Sequence, residues 1–499
     1  MGKEMKSLKD NKVWELTTLP PGKKAIGCKW VYKVKTNSDG SIERYKARLV
    51  AQGFNQKFGS DYDETFCLVI RLESLRTLVA LSTQQGLELH HVDVHTAFLN
   101  GTLQEEVYMK QPVGYEKEAE EHLVCRLRKS IYGLKQSSRC WNMALDSHLQ
   151  KMGFSQSKSD PCIYVSGGDD TFYIGVYVDD MVLAGKDRAK MKRVKEELSA
   201  KFDIKDLGKL SYFLGILITQ YQEKKETWMG QPMYTERLLN KMGMSDCKPV
   251  KTPMSPGNHL MKTAEDEEAT DCESYQSLVG SLMYLATCTR PDIAYAVGTL
   301  ARFSSKPNQT HWVAAKRVLR YLKGTANLGI IFSGGDEPGS CVGYSDADWA
   351  GDKEDRRSTS GYIFQIAGGP VSWRSRKQDT VALSTAEAEY VALSSAAQEC
   401  LWMRRLNTEL GNPPQGPTTI LEDNQSSIAM ARNPQYHGRV KHIDIKHHFV
   451  REQVSSGTIE LKYCPTNEML ADMLTKGLAQ QQFCLLRAKA GMAPLKTLD

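Results

Sequence analysis

Tyr177-Val178-Asp179-Asp180 lies between two β-prone apolar runs, 172–176 and 181–184, and this reads as a β-hairpin presenting two adjacent carboxylates at its tip. A solvated turn accounts for such a pair when it stands alone. A second acid, Asp93, sits on another β-prone run, Leu89-His90-His91-Val92-Asp93-Val94. If that strand pairs with the hairpin, Asp93 meets Asp179. Two carboxylates ~4 Å apart repel by roughly 4 kcal/mol at an effective dielectric of about 20, so a fold that converges them ordinarily holds cations between them. Two Mg²⁺ ions at that place predict a nucleotidyl-transfer site.

The rest of the chain bounds this reading. Its 499 residues exceed one hydrophobic core, so two or three domains are expected. Hydrophobic content of 41% and charged content of 25% are those of a globular protein with ample core. A formal charge of +6 permits a polyanionic partner without requiring one. The 12 cysteines form no C-x-x-C pair, which argues against zinc ribbons and disulfide scaffolds and predicts reduced thiols. No apolar run reaches the ~20 residues of a membrane span, and the N-terminus carries no signal or myristoylation pattern. An intracellular, cytoplasmic chain with no membrane partner is expected.

From Cys28 to Phe54 a strand, the turn Asn37-Ser38-Asp39-Gly40 and a second strand are predicted, with a basic polar face on which Lys46 and Arg48 alternate together. They are either the wet side of a hairpin or a grip for a triphosphate. Residues 72–85 have helical apolar spacing closed by Gly86. The strand of Asp93 is expected to continue into Thr96-Ala97-Phe98-Leu99-Asn100-Gly101. Phe98 is either a core ring or one that packs under a nucleotide sugar and excludes a ribose 2′-hydroxyl.

Six stretches now align in order: 30–35, 45–54, 61–66, 92–101, Tyr132-Gly133-Leu134-Lys135-Gln136, and 177–180. Together they resemble the reverse transcriptase of copia-type LTR retrotransposon Pol polyproteins. The resemblance implies a right-hand polymerase of fingers, palm and thumb over residues 7–253. It makes Asp93 and Asp179 ligands of Mg²⁺, with Mn²⁺ as the alternative ion, and Asp180 a less direct third acid. Lys46 and Arg48 become triphosphate contacts and Phe98 a sugar gate, Gln136 lies along the nascent base pair, and Phe213-Leu214-Gly215 resembles a primer grip. Two places depart from the family pattern. Ser137-Ser138-Arg139-Cys140-Trp141 stands where Ala-Pro-Arg-Ala-Trp is usual, and Cys67-Leu68 where Ser-Pro is usual. Neither removes a metal ligand, and loss of a proline loosens a loop.

A short helix over 234–242, the proline-rich link Pro249 to Pro256 and the acidic run Glu265-Asp266-Glu267-Glu268 mark a boundary, after which helices resume at Ser277. Residues 311–323 form an amphipathic helix with Trp312, Ala315, Leu319 and Leu322 on one face and a basic surround. The connection-like region spans 254–338.

Beyond Gly339 strands are expected at 342–346, 360–366 and 370–374, then a helix over 385–410, a strand ending at Asp423, a helix over 424–432, and a strand over 459–464 leading into the helix of Asp472. This is an α/β layer with a mixed sheet, making the whole chain a multidomain α/β and α+β protein. Asp346 and Asp423 end neighbouring parallel strands, so they can meet. The stretches 344–351, 356–362, 388–393, 423–426, 441–445 and 471–476 resemble the copia-type RNase H domain, placed at 339–478 with a tail at 479–499. The resemblance makes Asp346, Glu389, Asp423 and Asp472 its metal ligands. Glu387 is the alternative glutamate, but two residues on a helix point ~200° apart, and the register favours Glu389.

The basic segment His437, Arg439, Lys441, His442, Lys446, His447, His448 and Arg451 lacks a cysteine pair, which disfavours zinc. A surface for hybrid phosphates and an ordinary solvated helix both remain. No Asp-Thr-Gly or Asp-Ser-Gly triplet of a protease and no zinc module of an integrase is visible, so the chain reads as a fragment of a longer frame or an orphaned copy. The expected function is RNA-directed DNA polymerisation with ribonuclease H activity. Its partners are an RNA template, a DNA primer, the RNA–DNA hybrid and deoxynucleoside triphosphates. The alternative is an inactive or co-opted nucleic-acid-binding remnant.

Overall fold

The computed structural model describes residues 1–36, 41–65, 69–168, 170–257, 260–264, 270–335, 339–432 and 441–496. The predicted turn 37–40, Cys67-Leu68, the acidic run 265–268 and His437 with Arg439 lie outside the described residues. Contacts group the chain into two compact units, neither continuous in sequence: Met1–Ile70, His90–Ser157 and Pro161–Gly208 in one, Arg71–Leu89, Lys158–Asp160 and Lys209–Asp499 in the other.

The first unit is built on a six-stranded sheet in which Glu88–Val94 lies beside Asp180–Gly185, which pairs antiparallel with Phe172–Tyr177. Val92, Val94, Phe172, Ile174, Val176, Met181 and Leu183 turn to one core, with Trp141, Leu145 and Leu149 of the helix Ser137–Lys151 and Met191, Val194 and Leu198 of the helix Arg188–Lys201 packed on it. Both hairpin strands are therefore nearly continuous apolar runs, and polar residues fall where they stop. The strand of Asp93 ends at Val94 rather than continuing to Gly101. Thr96 has φ +52, and Ala97–Asn100 winds into a 3₁₀ turn. The Asn100 amide donates to the Thr96 and Ala97 carbonyls at 3.4 and 3.2 Å, satisfying groups that a ladder would otherwise take.

A separate two-stranded ribbon pairs Cys28–Thr36 with Ile42–Ala51, Lys33 opposite Lys46 and Val31 opposite Arg48. Like charges facing across a ladder destabilise it. The N-terminal helix Gly2–Asp10 packs Met5 and Leu8 into the core beneath the ribbon, with Leu49 and Ala51.

The second unit holds two five-stranded sheets. One is antiparallel and begins with the hairpin Tyr212–Phe213 and Ile216–Tyr221, whose two-residue tip Leu214-Gly215 has positive φ at both positions. The other is mixed: Gly369–Lys377, Thr359–Ile366 and Cys341–Ala347 run antiparallel in turn, then Thr418–Glu422 and Ile459–Tyr463 are parallel. The helices Cys272–Cys288, Ala294–Ala301 and Gln309–Lys323 share one core with Leu470, Met473 and Leu474. The basic-rimmed helix buries Ala315, Leu319 and Leu322 as its spacing requires.

The helix Leu72–Gln85 ends at Gly86, φ +67, as the left-handed cap requires. It is enclosed on all sides from Ser74 to Thr83. The buried Arg76 guanidinium donates to the Val371, Thr287 and Cys288 carbonyls at 2.7–3.0 Å and stacks 3.9 Å over Trp373. Among the described residues the cysteines are free thiols, and no helix is long and apolar enough to cross a membrane.

Candidate active sites

In the first unit Tyr177 pairs with Asp180, leaving Val178 and Asp179 as the two residues of the turn. Val178 has φ +57, an outlying conformation for a β-branched residue, and strain of this kind gathers at functional sites. Two hydrogen bonds hold the tip: Trp141 Nε1 donates to the Val178 carbonyl at 2.6 Å, and the Val94 N–H to the Asp179 carbonyl at 2.8 Å. The second bond joins the strand of Asp93 to the acidic turn. Burial raises the pKa of Asp179 above the usual carboxylate range, and the Asp180 and Asp93 carboxylates add to the rise while Arg48 opposes it.

Asp180 turns instead to His91, whose Nε2 lies 2.8 Å from Oδ1. His91 was invisible to motif reading, although its place two residues before Asp93 on a strand sets both on one face. Among the described residues Asp93, Asp179 and Asp180 do not form a set of three whose oxygens lie within 4.8 Å of one another. The backbone bond from Val94 brings the strand of Asp93 to the tip, and the Asp180 carboxylate bears on Asp179 more strongly than that of Asp93.

The neighbouring side chains include most of the residues singled out in the sequence. Arg48 stacks 4.3 Å over the Tyr132 ring, and Phe98 meets the same ring edge-on at 5.0 Å. Burial raises the Tyr132 pKa, with Asp179 and Asp93 adding to it and Arg48 opposing. Glu4 bears on Lys46 and Arg48: burial raises its pKa, while the Leu49 N–H, 3.4 Å away, and the two cations lower it. Gln136 is fully buried, accepting from Gln56 Nε2 at 2.9 Å and donating to the Asp61 carbonyl at 2.8 Å. Its amide fastens the 56–61 loop. Ser137 opens the following helix and donates to the Ile131 carbonyl at 2.5 Å.

In the second unit the mixed sheet, the helix Thr385–Glu409 and the 3₁₀ segment Leu470–Leu474 converge five carboxylates. Asp346, Asp423 and Asp472 form one set of three with oxygens within 4.8 Å of one another, and Glu389, Glu422 and Asp423 form another. Glu387 is at the first turn of the helix, its carboxylate accepting from the Leu383 N–H at 2.8 Å, so the helix delivers Glu389 alone. Thr475 Oγ1 donates to Asp346, and Lys476 pairs with Asp472 at 2.7 Å. Burial pushes Asp472 up to about 7 and Glu389 up to about 12, with neighbouring acids adding to both. Glu422, fully buried, was missed. The alternation Thr418, Ile420, Glu422 on the inward face of its strand was the available signal.

Of the basic segment, His447 stacks 4.1 Å from Tyr390. His448 and Arg451 line an open cavity of about 430 Å³ with Arg432.

Buried carboxylates with unpartnered oxygens, Glu389 Oε2 and Glu422 Oε2, are the donor chemistry of hard divalent cations, so the second unit's residues fit such an ion. Among the described residues the acids of the first unit form no such set of three.

Residues 11–256 match the family described as reverse transcriptase (RNA-dependent DNA polymerase). The chain is 43% identical over 499 residues to the retrovirus-related Pol polyprotein from transposon TNT 1-94 of Nicotiana tabacum, covering 99% of this chain and 37% of that protein. It is 36% identical over 310 residues to a transposon Ty5-1 protein of Saccharomyces cerevisiae, covering 62% of this chain and 100% of that protein. The chain spans 33% to 37% of the length of the plant polyproteins it matches. Its fold is similar to a foamy viral protease-reverse transcriptase solved in complex with RNA/DNA hybrid, with TM-score 0.53 at 13% identity over 93% of this chain and 52% of that one. The chain belongs to the reverse transcriptase (RNA-dependent DNA polymerase) family, among the Pol polyproteins of copia-type transposons.

Proposed function

We propose that this chain is an RNA-directed DNA polymerase that also cleaves the RNA of the hybrid it makes, acting on an RNA template, a DNA primer and deoxynucleoside triphosphates. The observation that carries the reading is the hydrogen bond from Val94 to Asp179, which draws Asp93 to the hairpin tip beside Arg48, Tyr132 and Phe98. Membership of the family supports the same conclusion. On this reading the first unit supplies palm and fingers, the hairpin at Leu214-Gly215 a primer grip, and the mixed sheet of the second unit an RNase H-like domain.

Asp93 and Asp179, with Asp180 beside them, would hold Mg²⁺ or Mn²⁺ in the polymerase site, and Asp346, Glu389, Asp423 and Asp472 in the nuclease site. Bound there, the ions would activate the attacking oxygen and neutralise charge on the leaving group. The protein's own part is positioning and charge. The Arg48 guanidinium, oriented by stacking on Tyr132, offers a bidentate face to triphosphate oxygens, and Lys46 on the same strand face adds a point charge. Phe98, braced edge-on by Tyr132, is rigid enough to discriminate a 2′-hydroxyl by contact.

The test is primer extension on labelled RNA by the purified chain, followed with cleavage of the RNA in the same reaction. Asp179→Asn should abolish extension and spare cleavage, and Asp346→Asn the reverse. A wild-type chain that binds hybrid and yields neither product is the remnant instead.

A further inference from the structure

Sequence motifs assign four acids to the nuclease-like site, but the fold brings a fifth. Glu422 closes the strand Thr418–Glu422, second from the edge of the mixed sheet, and is wholly buried. An ionised carboxylate there costs several kcal/mol unless something compensates it, roughly. What the protein supplies against this is little: Oε1 accepts from the Asn424 N–H at 3.4 Å, and the Ser345 hydroxyl also favours the charged form. Oε2 of Glu422 has no hydrogen-bond partner, and neither does Oε2 of Glu389, itself 6% exposed. Both oxygens belong to side chains whose ligand atoms, with those of Asp423, lie within 4.8 Å of one another.

The two sets of three acids differ in how their charge is met. Lys476 stands with the first, paired to Asp472 at 2.7 Å and lowering the pKa of Asp346. The groups that bear most strongly on Glu389, after burial, are Glu422, Asp346 and Asp423, all of them acids. Glu422 is likewise faced by Asp346 and Asp423. The ammonium is thus paired to an acid that only one set contains, whereas the other gathers Glu389 and Glu422 with their unpartnered oxygens beside the shared Asp423.

We propose that Glu422 is a direct oxygen ligand of a divalent cation held by Glu389, Glu422 and Asp423, a position that shares only Asp423 with the one made by Asp346, Asp423 and Asp472. This rests on the metal-site reading of the second unit given above. Asp423 is shared by both sets, so cations in the two positions are neighbours bridged by one carboxylate. Three carboxylates exceed the one or two that Mg²⁺ ordinarily takes, and hard cations with more permissive shells, such as Mn²⁺, suit the position.

The experiment is Mn²⁺ titration of the full chain, read by the electron paramagnetic resonance signal of the free ion. All variants carry Asp179→Asn, so that the other carboxylate site contributes less. Glu422→Gln keeps the shape and removes the charge. It should weaken one class of Mn²⁺ binding by about tenfold or more. Its melting temperature without metal should equal or exceed that of the parent, since a buried acid crowded by other acids is replaced by a neutral amide of the same shape. The gain in melting temperature on adding Mn²⁺ should shrink. Glu422→Asp, which retains the charge on a shorter stem, should fall between parent and Gln variant. Mn²⁺ affinity and stoichiometry in Glu422→Gln equal to the parent overturns the proposal. If Asp346→Asn weakens Mn²⁺ binding in that case, only the role of Glu422 falls. If Asp346→Asn also leaves binding intact, the metal-site reading of the whole acid cluster falls with it.

Discussion

The Val94 N–H donates to the carbonyl of Asp179 at 2.8 Å, and this ladder bond makes Asp93, one residue before Val94, a neighbour of the acidic turn. The consequence appears as charge: Asp93 and Asp180 both push the Asp179 pKa upward, beyond what burial does. Asp179→Asn removes a proposed ligand and a repulsion together. Extension by the variant is expected to fall by about 100-fold or more, on the scale of losing a principal transition-state contact. Its metal-free melting temperature should hold or rise. Single-turnover extension and thermal denaturation of the same preparation check both.

The tip itself is held under strain. Val178 at φ +57 costs about 1–2 kcal/mol, and the Trp141 indole compensates by donating to its carbonyl at 2.6 Å. Trp141→Phe deletes that donor while retaining most of the ring. A loss of about 1 kcal/mol in stability is expected, with a larger fall in kcat than in nucleotide KM because the turn that carries Asp179 loses its anchor. Val178→Gly relaxes the strain and should lower kcat without lowering the melting temperature. Denaturant titration with steady-state extension separates the two effects.

Tyr132 braces two side chains with different proposed tasks. Arg48 lies 4.3 Å over its face and Phe98 5.0 Å from it at 76°. Arg48→Lys keeps the charge but loses stacking and bidentate geometry, so nucleotide KM should rise about tenfold. Phe98→Val leaves room beneath the sugar, and discrimination against ribonucleoside triphosphates should drop by about 10–100-fold while deoxynucleotide incorporation changes little. Competition between ribo- and deoxynucleotides on one template measures the ratio directly.

Legibility in the sequence follows how local each determinant is. The helix Leu72–Gln85 and its cap at Gly86 were readable because apolar spacing and a left-handed glycine are properties of neighbouring residues. So was the mixed sheet, since two strands ending in Asp346 and Asp423 can be parallel neighbours only through a crossover helix. The turn after Asp93 was not, because Asn100 redirects the backbone through side-chain bonds that compete with a β ladder. Nor was the packing of Arg76, whose partners at Thr287, Cys288 and Val371 are distant in sequence. At the candidate sites, motif spacing singled out Asp93, Asp179, Asp180, Asp346, Glu389, Asp423 and Asp472, and of these the fold groups Asp346 with Asp423 and Asp472, and Glu389 with Asp423. It passed over His91 and Glu422, which strand alternation places beside those acids. Gln136 was legible as a motif, but its place as a buried tie between Gln56 and Asp61 depends on contacts no motif records.

The core of the second unit contains an ion pair whose removal gives a stability prediction independent of catalysis. Arg290 Nε and Nη2 donate to Asp292 at 2.9 and 2.8 Å, Tyr321 donates to the same carboxylate, and Arg487 donates to the Tyr321 oxygen at 2.8 Å. Arg290 and Asp292 are each 1% exposed. Burial alone would raise the Asp292 pKa, but the Arg290 guanidinium and the Tyr321 hydroxyl bring it below the usual carboxylate range. A depressed carboxylate stabilises the fold above its unfolded pKa of about 4, and that stability is lost as pH falls through the lower folded value. Asp292→Ala strands a buried guanidinium and should cost about 3–5 kcal/mol at neutral pH. Asp292→Asn should destabilise as well and flatten the acid limb of the stability curve below about pH 4, because no proton is taken up at that position. Urea denaturation across that range, wild type against Asn variant, would show parallel acid limbs if the pair contributed nothing to stability.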